Sequence, residues 1–231
     1  MKQDVTHWTL LQILLVSFGL STLLVSCSKK VELSLVSAAD SLKIVDENIK
    51  HRAAMDIYFR EDPDSPFIRD TTIRFIGIRW FPIDVRYRGT SVVHRYDRAD
   101  TVTVMGTKGE ARKQLRYGYF EFVVPGDGDT PVLLKLNIYK FTPYDKNRYD
   151  LWKDNLSVWF TDRTTGKETY DVGRYVEIGD ELPDASHVYT IDLNKAYNPY
   201  CAYSATYSCA IPRKEDHLDV ALRVGEMKYH E

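Results

Sequence analysis

An excess of positive charge is the first thing this sequence lacks. Its 31 Lys and Arg stand against 33 Asp and Glu, a formal net charge of -2, and no run of basic residues makes up for it locally. A surface without a basic field has little hold on a phosphate backbone, so nucleic acid is not an expected partner. Recognisable reaction motifs are missing too: there is no Gly-x-Ser-x-Gly elbow, no phosphate-binding glycine loop, no His-Glu-x-x-His and no Cys-x-x-Cys. Carboxylates are plentiful, but their spacing singles out no acid and base pair. No cofactor is expected, and only three cysteines are present.

What is there points toward strands. Sixteen tyrosines accompany many Val, Ile and Phe residues, and branched and aromatic side chains suit a pleated, half-buried surface. From Trp8 to Val25 the chain is mostly apolar and ends in Leu24-Val25-Ser26-Cys27. That ending resembles the lipobox of bacterial lipoproteins, in which a peptidase cuts before the cysteine and its thiol takes lipid. The basic start is thin, with Lys2 offset by Asp4, and an uncleaved membrane-spanning helix is the alternative. The resemblance implies lipidation at Cys27. It would leave the remaining chain on the bacterial cell envelope, since each buried acyl methylene contributes about 0.8 kcal/mol. Ser28 after the cysteine resembles outer-membrane sorting, with the protein facing the periplasm.

The expected organisation is a signal peptide over 1–27, a tether over 28–39 and one β-rich domain over 40–231. A helix is read from about Ser41 to Phe59, where Leu42, Val45, Ile49, Ala53 and Ile57 recur at helical spacing opposite a charged side. Beyond Pro66 the period becomes two. Strands are expected at Ile73–Phe81, Ile83–Arg88, Thr101–Met105, Tyr117–Val124, Val132–Tyr139, Leu156–Phe160, Glu168–Ile178, Val188–Leu193 and Leu218–Val224. In Val132–Tyr139 the even positions read as core and the odd positions as a polar face. The fold class is all-β with one N-terminal helix, as an antiparallel barrel or sandwich.

The densest stretch is Thr169-Tyr-Asp-Val-Gly-Arg-Tyr175 with Ile191-Asp-Leu-Asn-Lys-Ala-Tyr-Asn-Pro-Tyr-Cys-Ala-Tyr203 and Tyr207-Ser-Cys209. Ser65-Pro66, Phe81-Pro82-Ile83-Asp84, Leu136-Asn-Ile-Tyr139 and Val224-Gly-Glu226 accompany it. Together these resemble the bacterial domain-of-unknown-function 1684 family over roughly residues 40–226, many of whose members carry lipoprotein signals. Departures fall at Asp171, at Ala210-Ile-Pro-Arg213 and at Glu215-Asp216-His217. The resemblance brings no settled activity.

Cys201 and Cys209 close a short loop, and with Cys27 lipidated they form an even pair in an oxidising compartment. A disulfide is the favoured reading. A metal site would want two more ligands, and a nucleophilic Cys201 would want a base such as His187 beside it. If the segment is one strand, Tyr170 and Arg174 share a face, and Asp192 could meet Arg174 across paired strands. The functional reading is a clamp for a small polar or amphiphilic ligand built from Tyr170, Arg174, Tyr175, Asp192, Asn194 and Tyr197. The plainer reading is a buried ion pair that sets strand register. Asn194, Asn198-Pro199 and Asp162 read as turn residues. The expected function is a binding or accessory protein of the envelope. The alternatives are a hydrolase-like enzyme using a carboxylate or Cys201, and a purely structural component.

Overall fold

The computed structural model describes residues 32–230. The apolar N-terminal segment and Cys27 lie outside them. Among the described residues no helix is long and apolar enough to cross a membrane.

Helix α1 runs Ala38–Glu61. It starts earlier than its apolar spacing suggested because Ser37 caps it, the hydroxyl accepting from the Asp40 N–H at 3.1 Å. The face that packs also differs from expectation. Leu42, Ile49 and Ile57 are exposed, while Ile44, Asn48 and Phe59 are buried. Two interactions rotate the helix this way. The Asn48 side-chain amide donates to Asp192 Oδ2 at 2.9 Å and to the Ile44 carbonyl at 3.0 Å. One turn from the helix end, the Phe59 ring meets Phe67, Phe75 and Tyr203 at centroid distances of 5.3 to 5.6 Å. A buried hydrogen bond and an aromatic cluster thus outweigh three scattered aliphatic side chains.

Short α2, Pro66–Arg69, follows with Ser65 as its cap. The next stretch does not form the two strands expected at Ile73–Phe81 and Ile83–Arg88. Gly77 takes a positive φ of 94°, Pro82 has no N–H to give, and Asp84 accepts from the Arg86 N–H at 3.0 Å to start a 3-10 turn over Val85–Tyr87. Residues 79–81 instead pair loosely with the C-terminal segment, the Phe81 N–H donating to Gly225 O at 3.0 Å and the Met227 N–H to Arg79 O at 2.9 Å.

The strands among the described residues are β1 Arg88–Ser91, β2 His94–Met105, β3 Ala111–Pro125, β4 Pro131–Phe141, β5 Val158–Asp162, β6 Arg174–Val176, β7 Tyr189–Asp192 and β8 His217–Leu218. They form three open sheets, ordered β1-β7, β2-β3-β4 and β6-β5-β8. All pairings are antiparallel except the parallel β5-β8. The described residues are therefore mostly β with one long N-terminal helix, and no sheet among them closes into the barrel that was one of the two expected architectures. Strands β5 to β8 are too short to wrap, each interrupted by turns within a few residues.

One apolar cluster serves all three sheets. Phe120 and Phe122 of β3, Leu134, Leu136 and Ile138 of β4, Val158 and Phe160 of β5 and Ile191 of β7 meet Leu222 and Val224 there. The even positions of β4 are core, as expected. Its odd face is polar only at first: Lys135 is exposed, but Asn137 and Tyr139 are buried because Asp216 covers them, accepting from Asn137 Nδ2 at 2.7 Å and from the Tyr139 hydroxyl at 2.8 Å.

Asn48 is the test of how α1 is held. Asn48→Ala leaves the Asp192 carboxylate one donor short, and the expected loss is about 1–3 kcal/mol in urea unfolding. A change within error would show that the aromatic cluster alone docks the helix.

Candidate functional site

The segment 168–178 is not one strand. Asp162 Oδ1 accepts from the Thr164 N–H at 2.7 Å and opens a turn through Gly166. A second turn closes with the Gly173 N–H donating to Tyr170 O at 3.1 Å. Gly173 has φ of +120°, and a Cβ there would stand 2.5 Å from the Phe160 carbonyl, so only glycine lets the chain fold back against β5. Strand β6 then pairs Phe160 with Arg174, Trp159 with Tyr175 and Val158 with Val176. Counting by two across the turns fails, and Tyr170 does not accompany Arg174.

Arg174 points into the core and is 1% exposed. Its Nη2 donates to Asp162 Oδ2 at 2.7 Å and to Leu222 O at 2.9 Å. Its Nη1 donates to Val224 O and, at 3.4 Å, to Glu226 O. Burial pushes its pKa down, opposed by Asp162. Asp162, read from sequence as a turn residue, does both jobs, one oxygen for the turn and one for the guanidinium. Asp192 is not the partner. It accepts from Asn48 and from the Asn194 N–H and side chain at 3.0 and 2.8 Å, with Arg88 Nη1 3.9 Å away. Asn194 in turn brackets Asp84, accepting from its N–H at 2.8 Å and donating to its carbonyl at 2.9 Å. The turn chemistry expected of Asn194 thus acts on backbone far away in sequence.

Glu226 is fully buried. Its Oε2 accepts from the Asn198 N–H at 2.8 Å and the Tyr203 hydroxyl at 2.6 Å, and burial pushes the carboxyl up to about 7. The Tyr-Asn-Pro-Tyr-Cys-Ala-Tyr run and the Val-Gly-Glu close to the C-terminus are therefore two halves of one junction. Gly225 belongs to it: its φ is +79°, and a Cβ would lie 2.6 Å from the Ala196 carbonyl.

On the other face of β5 and β6 lies a cleft of about 350 Å³. Phe141, Trp159, Tyr175 and Tyr197 form its aromatic wall, and Arg112, Arg148 and Trp152 lie at it from β3 and from α3, Lys146–Trp152. Tyr139 stacks on Trp159 at 4.6 Å, and Trp159 meets Tyr175 at 5.7 Å. The Tyr175 hydroxyl donates to Ala210 O at 2.6 Å, and burial pushes its pKa up. Two buried polar atoms on lining side chains have no hydrogen-bond partner: Gln114 Oε1 and Trp159 Nε1. Buried donors and acceptors are nearly always paired, so these two atoms are exceptions that the packing beside the cleft leaves unsatisfied.

Of the six expected binding residues, Tyr175 and Tyr197 line this cleft. Arg174, Asp192 and Asn194 are scaffold, and Tyr170 donates to the Cys201 carbonyl at 3.2 Å. Arg112, Gln114, Arg148 and Trp159 escaped the sequence reading. The available signal was Trp159, which alternates with the core residues Val158 and Phe160 and so faces away from the core. Cys201 and Cys209 are free thiols in this structure, with the Cys201 N–H donating to Cys209 Sγ at 3.3 Å. His187 packs on Tyr189 and His217 bonds Thr161 at 3.0 Å, so neither is placed as a base for Cys201. Among the described residues no group of three or more His, Cys, Asp or Glu side chains could hold a metal ion.

Two measurements test the junction. Arg174→Ala strands Asp162 in the core and is expected to cost about 3–5 kcal/mol in denaturant unfolding; a loss under about 1 kcal/mol would remove the guanidinium from the frame. Glu226 has a folded-state pKa above its unfolded one, so its contribution is complete below about 4.5 and is lost as pH rises toward about 7. The stability difference between Glu226→Gln and the unaltered protein should accordingly move by roughly 3 kcal/mol in favour of the variant from pH 4.5 to 8, and a flat difference would contradict the raised pKa.

A search of curated proteins returns no match. Among solved structures, the chain is similar to an uncharacterized protein of Haloarcula marismortui determined by solution NMR. The two are 27% identical with a TM-score of 0.56, and the match covers 83% of this chain and 97% of that one. The family described as "Protein of unknown function (DUF1684)" matches residues 73–227, which takes in the Arg174 junction and the whole cleft lining, and the chain belongs to that family.

Proposed function

We propose that the protein binds a small polar or amphiphilic molecule in the cleft beside β5 and β6, and that it does so as a lipoprotein of the bacterial cell envelope. The observation that carries the binding reading is the concave cleft itself, walled by Phe141, Trp159, Tyr175 and Tyr197 with Arg112 and Arg148 at it. A ligand with a flat apolar body and an anionic group would suit that lining. Arg148, exposed on α3 and 3.6 Å from Asp145, is free enough to add an anionic contact. Envelope attachment rests on the Val-Ser-Cys27 ending, with an outer-membrane, periplasm-facing location following from Ser28. The apolar cluster shared by the three sheets supports a sandwich-like arrangement of the β-rich domain.

Native mass spectrometry of the purified protein is the test. A co-purifying small molecule is expected on the unaltered protein. Arg148→Ala should weaken it about tenfold or more, since a hydrogen bond to a charged group contributes about 1.5–3 kcal/mol. Trp159→Phe, which replaces the indole by a smaller ring and removes its N–H, should weaken it as well. Retention unchanged in both variants would place the ligand elsewhere, and an empty protein under gentle purification would count against a binding role.

A further inference from the structure

We propose that Cys201 is a reactive thiol and Cys209 its resolving partner, so that hydroperoxides convert the pair from dithiol to disulfide. This goes beyond ligand binding in the cleft and does not rest on it. A static disulfide needs only two sulfurs in reach, whereas here each sulfur also has a donor, the Tyr170 hydroxyl at Cys201 and the Cys201 N–H at Cys209.

Both cysteines are held from outside their loop. Cys201 lies in a 3-10 turn, Tyr200–Ala202, that follows Pro199. Cys209 is clasped by Thr107, its N–H donating to Thr107 Oγ1 at 3.1 Å and its carbonyl accepting from the Thr107 N–H at 3.0 Å. The Cys201 N–H then reaches Cys209 Sγ at 3.3 Å, and the Tyr170 hydroxyl lies 3.6 Å from Cys201 Sγ. Cys201 thus has a phenol donor aimed at its sulfur and a second thiol beside it. Both cysteines are half-buried, open enough for a small oxidant and closed enough to strengthen those hydrogen bonds.

The electrostatics agree with the geometry. Hydrogen bonding from Cys209 lowers the Cys201 thiol against the opposing effect of burial, with Tyr170 and Thr107 helping. Cys209 moves the other way, pushed up by its hydrogen bond to Cys201 and by burial. Tyr170, Tyr175 and Tyr197 lie near the pair, each with its pKa raised and therefore neutral, while the positive charge of Arg112 works against the rise at Cys209 without reversing it. No imidazole is required, because donors rather than a base hold the thiolate.

The chemistry balances in two steps. The Cys201 thiolate attacks one peroxide oxygen, breaking the O–O bond, forming a sulfenic acid and releasing hydroxide, or an alkoxide from an organic peroxide. The Cys209 sulfur then attacks the Cys201 sulfur, forming the S–S bond and expelling the hydroxyl as water, its own proton leaving with it. Peroxide is reduced by two electrons, and the dithiol loses two hydrogens. Cys209 also lines the cleft, so the state of the pair is written into the cleft wall.

The test uses the full chain, reduced and desalted, with Cys27→Ser throughout so that only this pair reacts. Hydrogen peroxide should yield a protein two hydrogens lighter, with Cys201 and Cys209 joined in one cross-linked peptide. With Cys209→Ser, oxidation should stop at a sulfenic acid that dimedone traps on Cys201; with Cys201→Ser, Cys209 should stay unmodified over the same time. Iodoacetamide labelling of Cys201, followed by peptide mass spectrometry without further variants, should rise at a pH well below the ordinary thiol range. Tyr170→Phe should move that midpoint upward and slow the peroxide reaction several-fold. Equal reactivity of the two cysteines, or labelling of Cys201 only in the ordinary thiol range near about 8.5, would overturn the proposal.

Discussion

The Arg174 guanidinium is the constraint on which the rest of the structure depends. The C-terminal segment leaves β8 after Leu218 and is met loosely by residues 79–81, yet its Leu222 and Val224 side chains are core. Its inward carbonyls must find donors, and Arg174 supplies them at Leu222, Val224 and Glu226 while Asp162 holds the charge. One side chain thus stands in for a strand edge. Its planar fork suits this, because several donors in fixed directions can serve carbonyls two residues apart, which a lysine could not do.

From that junction the geometry of the cleft follows. With Arg174 and Val176 committed to the core, strand alternation turns Tyr175 outward beside Trp159, and the paired backbone of Tyr175 and Tyr197, with 2.9 Å hydrogen bonds in both directions, extends the aromatic wall. Glu226 pins Asn198 and Tyr203 from the far side and so sets where the cysteine loop begins. The polar residues that make the family pattern so specific are mostly scaffold. The cleft is built on the reverse of the same strands, from residues less distinctive in sequence.

The parts legible in the sequence were those whose information is local. The β4 strand, the part of β3 from Tyr117 on, the Gly-rich turns and the even-position core of β4 follow from period-two patterning, while the first part of β3, Ala111–Arg116, lies beyond a register shift between Arg116 and Gly118 and was not expected. The presence of α1 was legible as well, but its orientation was not, because Asn48 carries no apolar signal and gains its buried place only through Asp192. The 168–178 stretch misled for a related reason. Its apolar and charged residues alternate as a strand's do, while Gly173 and the Asp162 turn break it into pieces that a residue count cannot register.

The sequence by itself determined a β-rich fold with one N-terminal helix, the family, and the importance of the Gly-Arg-Tyr and Asn-Pro-Tyr-Cys segments. It also carried the buried ion pair as one of two readings for Arg174. Only the tertiary structure decided that the partner is Asp162 rather than Asp192, and that Arg112, Gln114, Arg148 and Trp159 converge on one cleft. The division has a physical cause. Patterning along a chain records which residues leave water, but which buried charge meets which, and where a concave surface forms, depends on how separate sheets are turned against each other.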